Sequence, residues 1–227
     1  MPELIRSKSK VKELGITPED VINYISAGDT PDREFFYGLA ADGLEKIKNE
    51  DVLWGYMSMP AKLTGETLII GDTGFNVGRD VSLMLRTVNE IALFACTVSP
   101  ELDKNLNAAD FGSDHIEAYL NDIIGTVILG KVTDKVHEKV KAAFSGKKIT
   151  NTISPGNCGW PVEDQKILWK LLPERFLGIR LNDSGMMEPV KSLSGIIGIG
   201  ENVKYMQTEC RYCRSRNCPY RKEPSVY

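Results

Sequence analysis

Several features that would assign this 227-residue chain to a class are missing from it. No apolar run reaches the roughly 18 residues that a membrane-spanning helix needs. The first residues, MPELIRSKSKVKEL, contain no apolar stretch followed by a small-residue cleavage site, so they do not form a secretory signal. We therefore expect a cytoplasmic protein without a membrane association.

An excess of positive charge is also missing. The chain has 28 Lys and Arg against 31 Asp and Glu, a formal net charge of -3. Without a basic field the chain is not expected to bind nucleic acid. Neither the G-x-G-x-x-G pattern nor the G-x-x-x-x-G-K-S/T pattern occurs, which argues against dinucleotide-binding and P-loop folds.

Histidine is scarce, since His115 and His137 are the only two. No Ser/His/Asp or Cys/His arrangement can be read around them, so the sequence offers no candidate for nucleophilic catalysis. We predict that His137 lies on the protein surface.

The periodic patterns predict an α+β fold, because helices and strands alternate irregularly and form no repeating βαβ unit. Residues 1–16 are interpreted as a loose arm or an edge strand. Thr17-Pro18-Glu19-Asp20 has the residues of a helix start, and a second helix is expected over residues 31–49 with Phe35, Leu39 and Leu44 facing inward. Residues 91–98 form an almost unbroken apolar run, typical of a central strand that is buried on both faces. Further strands are predicted over residues 67–70, 178–181, 196–199 and 203–207.

The strongest periodicity runs over residues 113–144 and predicts a long spine helix. Its apolar positions recur every three or four residues, as on one face of a helix. These positions are Ile116, Tyr119, Leu120, Ile123, Ile124, Val127, Ile128, Val132, Val136, Val140 and Phe144. Gly125 and Gly130 interrupt the helix, which indicates tight packing or the close approach of another backbone or a ligand.

One loop stands out as a candidate binding site. It has two Gly and two Pro within eight residues, directly before a predicted helix that begins at Pro161. Such a loop presents backbone amides beside a helix N-terminus, which suits a nucleoside or carboxylate ligand. The alternative is a structural turn with Trp160 as a core plug. The candidate residues are Ser154, Pro155, Gly156, Asn157, Cys158, Gly159 and Trp160.

Four stretches together resemble the activation domain of cobalamin-dependent methionine synthase. ISPGNCGWPVEDQKILWKLL at 153–172 is similar to its signature loop and following helix. LFACTV at 93–98, LNDIIGT at 120–126 and MMEPVKSLSG at 186–195 match its central strand, a helix segment and its Met-x-Pro-x-x-Ser-x-Ser-Gly run. They occur in family order. The resemblance implies a single curved α+β domain around a twisted antiparallel sheet.

The resemblance also implies a function. The family's domain binds S-adenosylmethionine over the corrinoid of a methyltransferase and supports reductive methylation of cob(II)alamin. In this chain, cobalamin would be supplied by a corrinoid-binding partner or methyltransferase, because no D-x-H-x-x-G run is present. Tyr205 matches a family Tyr near the ligand. The family's loop Arg falls on Thr152 and its helix acid falls near Gly130, so weak S-adenosylmethionine binding is expected.

The C-terminal residues carry a second candidate site, in the run CRYCRSRNCPYR. Cys210, Cys213 and Cys218 have the close spacing of a zinc or iron–sulfur site, with Cys158 as a candidate fourth ligand. The alternative is a tail with inert thiols.

These observations leave three functions open. The chain is an activation module for a corrinoid protein, a non-catalytic module that binds such a protein, or a small redox partner that delivers an electron through its cysteines. We expect N-terminal helices over residues 1–50, the activation-like domain over 51–207 and a Cys- and Arg-rich tail over 208–227.

Overall fold

The computed structural model describes residues 3–25, 32–107 and 115–206. It contains an open antiparallel sheet of seven strands, with helices packed against it, and a separate two-stranded sheet. The strands are β1 (Leu4–Lys10), β2 (Asp51–Thr64), β3 (Thr67–Ile70), β4 (Thr73–Asn76), β5 (Val88–Val98), β6 (Lys148–Ile153), β7 (Arg180–Leu181), β8 (Met187–Glu188) and β9 (Ser192–Gly200). The helices are α1 (Pro18–Ile25), α2 (Arg33–Ile47), α3 (Gly78–Met84), α4 (Pro100–Leu106), α5 (His115–Ala143) and α6 (Asp164–Trp169). The predicted α+β class is confirmed.

The large sheet has the order β4-β3-β2-β5-β9-β6, and β1 pairs with the first half of β2. β2 is long enough for two neighbours on one side: its residues 51–57 pair with β1 and its residues 61–64 pair with β3. Within the predicted arm, residues 4–10 are therefore an edge strand and residues 11–14 form a short 3-10 turn. The β3–β4 hairpin closes through Gly71, whose φ of 58° is the left-handed conformation that glycine adopts freely.

β5 is the centre of the fold because its two faces pack into two different cores. Ala92, Phe94 and Cys96 face the helical layer, whereas Leu93 and Ala95 face the opposite layer. This alternation explains why the strand reads as a continuous apolar run. The predicted burial of residues 91–98 is confirmed.

The helical layer is built on α5, the predicted spine helix. α1 and α2 pack on it and share its core, as does the loop residue Val11. Two residues of the predicted apolar face, Ile116 and Tyr119, are exposed in the first turn of α5, and Phe35 on α2 is 54% exposed. These three predictions of burial are wrong, and all three residues lie within the first five residues of their helices. The division of the chain at residues 50 and 207 stays a prediction.

The two glycines of α5 lie in different surroundings. A Cβ at Gly125 would come within 2.9 Å of Lys191 Cε and 3.1 Å of Leu106 Cδ1. Close packing is confirmed there, although side chains rather than a backbone make the approach. Gly130 is exposed and has no neighbour within 4 Å of the Cβ position, so the prediction of close packing is wrong for that residue.

No helix among residues 3–25, 32–107 and 115–206 combines the length and the apolar character needed to cross a membrane.

Candidate functional site

Strand β6 lies at the edge of the sheet and positions both parts of the candidate site. Ile149 pairs with Ile199 and Thr152 pairs with Ile197, so β6 carries one more residue than β9 between these two pairs. This β-bulge reverses the direction of the side chains that follow it. Ile149 consequently packs into the helical layer, whereas Ile153 packs into the opposite layer. The bulge therefore aims the loop that begins at Ser154.

The side chain of Thr150 replaces the ladder bonds that the bulge removes. Its Oγ1 accepts from the Gly198 N–H at 2.8 Å and donates to the Asn151 carbonyl at 2.7 Å. The Thr150 carbonyl accepts from His137, whose Nε2 lies 2.8 Å away. Because a carbonyl only accepts, this contact assigns the proton to Nε2. His137 lies at the surface, in agreement with the prediction, but its ring is half-buried and bonded to the edge strand.

Asn151 holds the segment 203–206 against β6. Its Nδ2 donates to the Met206 carbonyl and its Oδ1 accepts from the Met206 N–H, both at 2.7 Å. The strand predicted there is wrong: residues 203–206 form no strand, because a side-chain amide replaces the ladder. Tyr205 is 61% exposed, and its ring packs on His137 with centroids 5.6 Å apart.

These residues enclose a groove of about 470 Å³ at the start of β6. The lining of this edge groove consists of His137, Glu138, Lys141, Lys147, Lys148, Ile149, Val203 and Tyr205. The groove combines aromatic rings, an apolar floor and lysine side chains, so it suits a ligand with a flat ring.

The signature loop, residues 154–161, leaves the other end of β6. Asn157 N–H donates to the Ser154 carbonyl at 3.0 Å, and Gly156 N–H donates to the Trp160 carbonyl at 2.8 Å. Gly156 and Gly159 have φ values of 95° and 85°, which few other residues adopt. Both glycines and Asn157 are exposed, so the tip of the loop faces solvent.

Trp160 has the structural role that the sequence left open. Its ring is 1% exposed, packs edge-on against Phe75 with centroids 5.9 Å apart, and donates from Nε1 to Asp164 Oδ2 at 2.8 Å. The ring thus fills the core beneath the loop. α6 begins at Asp164 rather than at Pro161, and it has only six residues.

The backbone behind the loop is fixed by a close approach to β9. A Cβ at Gly195 would meet the Ile153 carbonyl and lie 2.6 Å from Ser154 Oγ. Beside it, Gln165 Nε2 donates to Ser194 Oγ at 2.7 Å in a buried pair. The Ser-x-Ser-Gly run is therefore the surface on which the signature loop sits.

The structure brings the first seven candidate residues, 154–160, together in one loop and places Tyr205 beside the opposite end of β6. The two positions at which the resemblance led us to expect charge are neutral here: Thr152 is half-buried on β6 and Gly130 is exposed on α5. Sequence reasoning missed His137, Thr150 and Asn151. The sequence signal for the bulge was Asn151 in the middle of a strand, because strands disfavour Asn whereas β-bulges tolerate it.

The proposed metal ligands lie mostly outside the described residues. Cys210, Cys213 and Cys218 belong to that part of the chain, whereas Cys158 is half-buried in the loop with a φ of 50°. Among residues 3–25, 32–107 and 115–206, no group of three or more His, Cys, Asp or Glu is arranged to hold a metal ion. The zinc or iron–sulfur site stays a prediction.

Comparison with known proteins supports the resemblance at the level of structure. No family model matches the sequence. No curated protein matches it either. Among solved structures, the chain is similar to a crystal structure of the MetH reactivation domain bound to AdoHcy, with a TM-score of 0.67 and 17% sequence identity. The match covers 90% of this chain and 80% of that one. The chain therefore has the fold of the MetH reactivation domain.

Proposed function

We propose that this chain is an activation module for a corrinoid-dependent methyltransferase, and that it acts on a corrinoid carried by a partner protein. The observation that supports the proposal is the fold, which is shared over most of the chain with a reactivation domain that binds AdoHcy. The four sequence stretches that resemble the methionine synthase activation domain support it independently.

An S-adenosyl ligand would lie along the edge strand β6. The tip of the signature loop is exposed to a ligand, although its Gly156 and Asn157 amides donate within the loop, and Tyr205 offers an aromatic face. The positions expected to bind the charged end of S-adenosylmethionine lack the complementary charges. Thr152 has no positive charge for a carboxylate, and Gly130 has no acid for a cation. Charge-assisted hydrogen bonds are the strong ones, so their loss weakens binding.

Two substitutions test the location of the ligand by restoring the missing charges. Gly130→Glu introduces no clash, because the Cβ position has open space around it. Thr152→Arg places a guanidinium directly before the signature loop. A charge-assisted bond contributes about 1.5–3 kcal/mol, so each variant should bind S-adenosylmethionine roughly tenfold or more tightly than the wild type.

Calorimetry with S-adenosylmethionine and S-adenosylhomocysteine measures this effect. Gly38→Glu on α2 and Thr64→Arg on β2 are matched controls, since both positions are exposed or open and lie away from β6. If the variant that carries both Gly130→Glu and Thr152→Arg binds S-adenosylmethionine no more tightly than the two controls, the proposed location of the ligand along β6 is wrong. Low-micromolar affinity of the wild type would contradict the expectation of weak binding.

The partner is tested separately from the ligand. We expect the immobilised chain to retain a corrinoid-loaded protein from an anaerobic lysate, recognised by its visible absorption, more strongly than it retains free cobalamin. Recovery of no corrinoid protein would contradict the activation function.

A second function is favoured by the neutral Thr152 and Gly130, namely a non-catalytic module that binds a corrinoid protein. It predicts that the partner is retained while no methyl group is transferred from S-adenosylmethionine. The redox alternative depends on the cysteine tail, and metal analysis after anaerobic purification tests it.

A further inference from the structure

Three unusual features coincide in the segment that follows α6. The segment forms one wall of a groove of about 550 Å³, on a different part of the surface from the edge groove. Lining residues that define this cation groove include Trp169, Lys170, Pro173, Arg175, Arg180 and Leu181.

The first feature is charge. The whole chain has a net charge of -3, yet the groove gathers three cations and only one acid, Glu174. Arg180 lies opposite Glu188 in the β7–β8 ladder, but within the described residues the two side chains form no ion pair. Lys170 and Arg175 likewise make no ion pair among residues 3–25, 32–107 and 115–206. Local folding does not account for this cluster of charge.

The C-terminus of α6 does not account for it either. Cations often lie at such an end because its carbonyl groups are unpaired. Here the Ile167, Leu168 and Trp169 carbonyls accept from the N–H groups of residues 170, 171 and 172, at 3.1–3.2 Å. The cations are therefore available to another partner.

The second feature is backbone strain. Arg175 and Leu177 have φ values of 53° and 56°, a conformation that costs a non-glycine residue free energy. Phe176 between them is completely buried and holds the turn in place, with the Arg6 guanidinium 5.4 Å from its ring. Glycine would adopt the backbone of Arg175 without that cost. An arginine therefore stands at position 175 although the backbone conformation there favours glycine.

The third feature is an aromatic wall. Trp169 is half-buried and lines the groove, next to Pro173. Indole faces stack on flat rings, and arginine forks bind phosphate oxygens in pairs. The volume lies within the usual range of small-molecule sites, about 300–1,000 Å³.

We propose that the cation groove binds a small ligand of the nucleoside phosphate class, with its phosphates on Arg175, Arg180 and Lys170 and its base on Trp169. S-adenosylmethionine carries no phosphate, so this site is separate from the function proposed above.

ADP is the probe, and the fluorescence of Trp169 in the full chain reports its binding. Trp54 and Trp160 are 4% and 1% exposed, which leaves Trp169 as the tryptophan that a solvent-side ligand can reach. ADP should quench its fluorescence saturably, with a dissociation constant below about 1 mM at low salt. Calorimetry should give the same constant, adenosine should bind at least tenfold more weakly, and pyrophosphate should bind more weakly than ADP.

Two variants separate a binding role from a structural one. Arg180→Gln and Arg175→Gly should each weaken ADP binding at least tenfold, while Lys62→Gln, at an exposed position on β2, leaves it unchanged. Arg175→Gly should also raise the melting temperature, because it relieves the strained backbone. The proposal is overturned if ADP shows no saturable binding, if Arg175→Gly retains full affinity, or if that variant melts at a lower temperature than the wild type. Pyrophosphate binding as tightly as ADP would overturn the role of Trp169.

Discussion

Replacing Gly130 by alanine should stabilise the protein, although the glycine lies in the middle of its longest helix. Glycine in a helix interior costs about 1 kcal/mol relative to alanine, because the unfolded chain loses more conformational freedom. Nothing lies within 4 Å of the new Cβ, and the position is exposed, so no packing penalty offsets the gain. We expect a gain of about 0.5–1 kcal/mol in the free energy of unfolding. For a chain of this size the melting temperature should rise by about 1–4 °C.

The matched control is Gly125→Ala, one and a half turns earlier in the same helix. There the new methyl group would displace the Lys191 side chain, whose Nζ donates to Asp122 Oδ1 at 2.7 Å and to Thr126 Oγ1 at 3.0 Å. The propensity gain is therefore offset, and this variant should be about 1 kcal/mol less stable than Gly130→Ala. Urea denaturation at 25 °C, with equal slopes for all variants, measures both values. Equal stabilisation of the two variants, or destabilisation by Gly130→Ala, would refute this account of the helix surface.

Two further predictions concern ionisable groups. Burial raises the pKa of the Cys96 thiol to about 11, so iodoacetamide at pH 8 should leave Cys96 unmodified in the native protein while it alkylates the half-buried Cys158; peptide mapping distinguishes the two. The hydrogen bond from the Thr17 N–H is the main cause of the lowered pKa of Asp20, with Lys131 contributing. Because the pKa of Asp20 is lower in the folded protein than its unfolded value of 3.8, the ionised carboxylate stabilises the protein above pH 3.8, and this stabilisation is lost as the pH falls through the folded pKa. In urea titrations, Asp20→Asn should therefore be less stable than the wild type at pH 7, and the difference should shrink below pH 3.8.

The sequence predicted those elements whose signals are local. Thr17 Oγ1 accepts from the Asp20 N–H at 3.3 Å and Pro18 begins α1, as the order of these residues predicts. The strand at residues 67–70 and the buried run of β5 follow from the same kind of short-range pattern. Each of these depends on neighbouring residues alone, so no knowledge of the fold was needed.

The candidate site was harder to predict because tertiary contacts determine it. The bulge in β6 depends on Gly198 and His137, which are distant in sequence from Thr150. The segment 203–206 has the composition of a strand, but Asn151 takes its backbone groups and no ladder forms. Trp160 is equally suited by its chemistry to a ligand or to a core, and only the surrounding Phe75 decides between them.

The residues that build this fold and the residues proposed to bind a ligand are largely different, so the fold does not by itself determine the ligand. Gly195 and Trp160 fix the signature loop from beneath, so replacing either would disturb the core. Thr152 and Gly130 are half-buried and exposed, respectively, and neither forms part of the two hydrophobic cores. A charge at either position can be lost without cost to packing. A shared fold at 17% identity therefore shows the fold alone, whereas the binding of S-adenosylmethionine that we propose would depend on positions that the fold does not constrain.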